Sequence, residues 1–116
     1  MKSLATITEK DIEIIKMALN DSISDMNTEL KEGMTERKRV ALLDFKKKYS
    51  KVYDKLRQNS SIYSLSETEL DITAGGLNDA IQLIEENLTD DLTDQEREEI
   101  LTYKRTCNRL VELLAG

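Results

Sequence analysis

Apolar residues recur at intervals of three and four along most of this chain, and nowhere do they alternate with period two for long. That pattern predicts four amphipathic helices and no sheet. From about residue 9 to 32, Ile12, Ile15, Leu19, Ile23, Met26 and Leu30 draw one stripe along a helix. From about 36 to 58, Leu42, Phe45, Tyr49, Val52 and Leu56 form a heptad-like seam. Leu70, Ala74, Leu77, Ile81, Ile84 and Leu88 mark a third helix over about 67–88. Ile100, Tyr103, Cys107, Leu110 and Leu114 mark a fourth over about 94–115.

The polar residues at the ends support these boundaries. Thr8 with Asp11, Ser66 with Glu69 and Thr93 with Glu96 have capping-box spacing, and Thr35 is a cap for the second helix. Ile7 with Ile12 and Leu65 with Leu70 sit where hydrophobic staples form. Gly33 stands where a left-handed glycine ends a helix. Met34 and Thr35 alone separate Gly33 from the second helix, and Thr89–Leu92 separates the third from the fourth. Two antiparallel hairpins follow. The longer link, Asn59–Leu65, turns apolar at Ile62, Tyr63 and Leu65, which should fold back over the core. The expectation is a single all-α domain over residues 1–116, a four-helix antiparallel bundle built from two hairpins, with helices about 33–36 Å long. A longer, more open arrangement completed by a second copy is the alternative.

Gly75-Gly76 falls inside the third helix, where each glycine costs about 1 kcal/mol against alanine. It marks either a weak point or kink, or a place where another backbone comes close.

Composition narrows the chemistry. The chain has no His, Trp or Pro, one Cys and one Phe. Without His there is no Ser-His-Asp or Cys-His nucleophile and no Glu-x-x-His di-iron site. One Cys excludes an intrachain disulfide and a Cys-cluster zinc site. Paired acids at helical spacing, Glu29/Glu32, Asp91/Asp94 and Glu96/Glu99, lie at helix ends, where dipoles favour acids near N-termini, and no inward pair answers them. Asp90–Asp94 lacks the glycine and glutamate of a calcium loop. Gly75-Gly76 is not a phosphate loop. Cys107, on the fourth seam, reads as a small core residue. The expectation is a protein that is not an enzyme and has no catalytic residue, cofactor or metal.

Charge is uneven. The net is −6 overall, but residues 34–58 hold 9 basic and 3 acidic residues, net +6. Residues 1–33 hold 4 and 7, net −3, and residues 59–116 hold 4 and 13, net −9. The second helix is therefore basic within an acidic chain. It can be held by acidic neighbours in the bundle, meet an acidic protein partner, or bind phosphates. Several aliphatics also lie off the seams: Ile14 and Met17 in the first helix, Val40 and Leu43 in the second, Ile72 and Leu83 in the third, and Leu101 and Leu113 in the fourth. Pairs at i, i+3 make a patch.

These features together lead to the expectation of a small protein-binding regulator, inhibitor, adaptor or assembly factor that also forms a homodimer. Ile14, Met17, Val40 and Leu43 would be its anchors, and Lys46, Lys47, Lys48, Lys51 and Lys55 its electrostatic guide. The rival readings are a nucleic-acid-associated module using the basic helix, an acidic nucleic-acid mimic presented by residues 59–116, or a helical enzyme, which stabilisation of the fold by Mg2+ or Mn2+ would mark. The start, Met1–Thr6, has no apolar run of leader length, and no stretch approaches a membrane span. A cytoplasmic location with no membrane association is the matching expectation.

Overall fold

A computed structural model describes residues 4–115; Met1–Ser3, part of the start read above for a leader, lie outside the described residues. Four helices account for most of the chain: α1 (Glu9–Lys31), α2 (Glu36–Gln58), α3 (Glu67–Asn87) and α4 (Asp94–Ala115). Short 3-10 turns at Leu4–Thr6 and Ile62–Ser64 precede α1 and α3. The described residues contain no strand. The chain is an all-α helical bundle, as its periodicity predicts.

The ends form where the sequence places caps, because each cap satisfies backbone N–H groups that have no partner within the helix. Asp11 N–H donates to Thr8 Oγ1, and Thr8 N–H donates back to Asp11 Oδ2, both at 3.1 Å. Ser66 and Glu69 make the same reciprocal pair at 3.2 and 2.9 Å. Thr93 and Glu96 repeat it, at 3.1 Å in both directions. Thr35 accepts from Lys38 N–H at 3.3 Å. Each cap stabilises its helix by about 1 kcal/mol.

α1 and α3 form the central pair, with α2 and α4 on opposite flanks, so the bundle is flattened to 42 × 39 × 25 Å. Both helices of the central pair bury small residues, Ala18 and Ser22 on α1 and Ala74, Gly76 and Ala80 on α3. A Cβ on Gly76 would fall 2.6 Å from Leu19 Cδ2. Ser22 Oγ donates to the Gly76 carbonyl at 3.0 Å. α3 runs unbroken through the glycine pair, and no described glycine has positive φ. What comes close to Gly76 is the side chain of Leu19, with the Tyr49 ring beyond it, rather than another backbone. Around this contact Ile15, Leu19, Val52, Leu56, Leu77, Cys107, Leu110 and Leu114 are fully excluded from solvent.

Four details differ from the sequence reading. Gly33 is not a left-handed cap: α1 ends as Glu32 turns extended, and its N–H reaches Glu29 O at 3.0 Å. Tyr63 does not fold back; it is 68% exposed, while Ile62 and Leu65 are buried. Phe45 belongs to the expected seam of α2 yet is 49% exposed. α3 stops at Asn87, one residue early, with Leu88 as its extended cap.

Candidate protein-docking surface

α2 is one continuous helix with two different environments. Its C-terminal half is anchored by Tyr49, Val52 and Leu56, all buried. Its N-terminal half, Glu36–Lys48, has no buried residue; only Leu42 and Lys46 are half-buried. Tyr49 stands at the division. Its hydroxyl donates to Asp79 Oδ2 at 2.7 Å and lies 3.5 Å from the position of a Cβ on Gly75. Burial, then the hydrogen bond and charge of Asp79, raise the phenol far above its ordinary range, so it stays a donor.

Beyond Tyr49, α2 parts from α3 and leaves a cleft of about 560 Å³ floored by α1. Met26, Leu42, Phe45 and Leu83 supply its apolar surface; Asp25, Glu29, Asp79 and Glu86 supply its acids. On α3 the cleft is lined mainly by polar side chains, Asn78, Asp79, Gln82 and Glu86, with Leu83 the one aliphatic among them.

The positive charge of α2 is little used inside the bundle. Lys55 reaches across to Glu69 on α3, with Nζ 2.8 Å from Oε1. Lys48 pairs within its own helix to Asp44 at 2.9 Å and lies 5.6 Å from the centre of the Phe45 ring. Arg57 lies 5.9 Å from the centre of the Tyr53 ring. Among the described residues, Arg37, Lys38, Arg39, Lys46, Lys47 and Lys51 make no ion pair. Lys55–Glu69 is the one ion pair among the described residues that joins a cation of α2 to another helix. The hydrogen bonds from Lys55 and the Ser66 N–H lower the Glu69 carboxyl below its ordinary value despite burial, while its Oε2 is buried without a partner.

The residues expected to bind a partner fall in two places. Val40 and Leu43 lie on the free half of α2, 57% and 42% exposed, close to Lys46, Lys47 and Lys48. Lys51 is exposed one turn further on, and Lys55 is engaged by Glu69. Ile14 and Met17 lie instead in a groove between α1 and α4, with Ile100 and Tyr103. Ile14 there is half-buried against the core, and Met17 is exposed. One patch does not contain both pairs. Sequence reasoning missed Phe45, because its spacing from Tyr49 is that of a seam residue. It also missed the acidic cleft, whose residues come from separate helices.

Elsewhere, polar side chains tie the helices to one another. Arg109 of α4 donates to Asp11 Oδ1 at 2.5 Å, tying α4 to the capping box of α1. Burial works to raise the Asp11 carboxyl, but Arg109 and Thr8 outweigh it and hold it below its ordinary value. Cys107 is fully buried, and burial pushes its thiol up to about 11, with Asp21 adding to the effect against a Tyr103 hydrogen bond. At neutral pH it is a protonated core residue. No described helix is long and apolar enough to cross a membrane.

Compared with protein-family models, curated proteins and solved structures, the chain matches none.

Proposed function

We propose that this chain is a non-catalytic protein-binding regulator or adaptor whose docking element is the free half of α2. One observation carries the reading: Glu36–Lys48 is helical, buries no residue, and exposes Val40, Leu43 and Phe45 beside cations that the bundle leaves unpaired. A helix segment this short is marginal in water by itself. Here the anchored half of α2 extends it outward, so much of the ordering cost of a binding helix is met before binding. Val40 and Leu43, one turn apart, suit insertion into an apolar groove, and the surrounding lysines and arginines steer an acidic partner surface. A cytoplasmic setting belongs to this reading, since a buried thiol and no disulfide ask nothing of an oxidising compartment.

The unpaired cations favour one second reading, a nucleic-acid-associated module. Recovery of tagged protein from its native cell lysate, with and without nuclease, followed by mass spectrometry, separates the two. The protein-binding reading expects a stoichiometric partner that survives nuclease. Partners that vanish with nuclease, together with binding that falls steeply as salt rises, would establish the second.

A further inference from the structure

The geometry points to a second copy of this chain as the occupant of the cleft between α2 and α3. In the resulting twofold dimer, the free half of each α2 lies in the cleft of the other copy. This rests on the reading of α2 as a docking helix and names what it docks to when no other partner is present.

Charge is the first argument. Every ionisable side chain at the cleft's walls other than Tyr49 is a carboxylate. Asp79 is engaged by Tyr49, but Asp25, Glu29 and Glu86 are in no ion pair among the described residues. The free half of α2 carries the opposite sign: Arg37, Lys38, Arg39, Lys46, Lys47 and Lys48 against Glu36 and Asp44. The acidic rim and the basic helix are complementary in charge.

Shape and symmetry agree. The cleft lining on α3 runs from Gly75 to Glu86, about 17 Å along the helix, and the free half of α2 is about 20 Å long. Met26, Leu42, Phe45 and Leu83 offer apolar surface to a helix bringing Val40 and Leu43. A twofold interface must be self-complementary, each copy giving what the other receives. Here the giving helix forms one wall of the receiving cleft, so one twofold axis engages both at once. A protein partner of the docking helix then exchanges for the second copy.

The test is the solution mass of the purified full chain by sedimentation equilibrium, with helicity followed by circular dichroism. Wild type is expected at about twice the 13.3 kDa chain mass. A rim variant, Asp25→Lys with Glu29→Lys and Glu86→Lys, and a helix variant, Arg39→Glu with Lys46→Glu and Lys47→Glu, are each expected at the single-chain mass with helicity retained. An equimolar mixture of the two should recover the doubled mass, because both halves of the mixed interface then pair opposite charges. Should either variant lose helicity, Val40→Glu with Leu43→Glu replaces it, with the single-chain mass expected. A wild-type chain that stays single across the concentration range overturns the dimer, as do charge variants that remain doubled or a mixture that stays single. A single chain that still captures a protein through α2 leaves the docking reading standing; a dimer that captures none does the reverse.

Discussion

Ser22 on α1 donates its hydroxyl to the carbonyl of Gly76 on α3 at 3.0 Å, inside the core. Gly76 itself has no side chain, and Leu19 fills the space a Cβ would take.

The two adjacent glycines should therefore respond in opposite ways. Gly76→Ala gains about 1 kcal/mol of helix propensity. It also forces Leu19, which is fully buried, out of its place, and overpacking of this kind costs about 1–3 kcal/mol. Net destabilisation by up to about 2 kcal/mol is expected. At Gly75 the nearest atom is Tyr49 Oη at 3.5 Å, an ordinary contact, so Gly75→Ala should stabilise by up to about 1 kcal/mol. Urea denaturation of both variants checks this.

Gly33 has neither a left-handed backbone nor any atom within 4 Å of a would-be Cβ. Gly33→Ala should stabilise by about 0.4–1 kcal/mol, through the unfolded chain alone. Unfolding with an unchanged denaturant slope is the expected signature.

The helices and their caps were legible because they depend on residues three and four apart. Thr8 with Asp11 and Ser66 with Glu69 need nothing from the rest of the fold. The divergence of α2 was not legible. Leu42 and Phe45 continue the spacing of Tyr49, Val52 and Leu56 without a break, and what differs is the face of α3 opposite them. Gly75, Gly76 and Asp79 receive Tyr49, whereas the cleft that Phe45 lines is walled on α3 mostly by polar side chains, Gln82 and Glu86 among them. The basic helix was visible as a run of residues; the acidic cleft appears only when α1 and α3 are assembled.

On the acid side, the Glu69 carboxyl is held below its ordinary value near 4.5, first by the hydrogen bond from Lys55. A lowered carboxyl contributes stability that is present above the unfolded value and lost as pH falls through the folded one. Lys55→Met should remove part of that increment. The stability difference between wild type and variant should therefore shrink as pH falls below about 4.5. A difference constant across that range would assign the Lys55 effect to packing of its aliphatic stem.

On the alkaline side, Tyr49 and Tyr103 are both raised, first by burial, then by nearby groups including Asp79 for Tyr49 and Cys107 and Asp21 for Tyr103. The folded state then holds protons that the unfolded state releases above its ordinary value of 10.0, so stability falls as pH rises past it. Two of the four tyrosines should stay out of the tyrosinate absorbance until the chain unfolds. Cys107 should resist alkylation in the folded state over the same range, given its burial and its raised thiol.

The central claim is that the free half of α2 is a docking element rather than part of the core. Val40→Glu with Leu43→Glu tests it most directly, because both residues are exposed and their loss should change stability by no more than about 0.5 kcal/mol per site. The measurement is nuclease-treated capture by wild type and variant in parallel, with helicity and thermal midpoint recorded for each. The account predicts an unchanged fold and a lost partner. A variant that unfolds, or one that keeps its partner at wild-type yield, would contradict it.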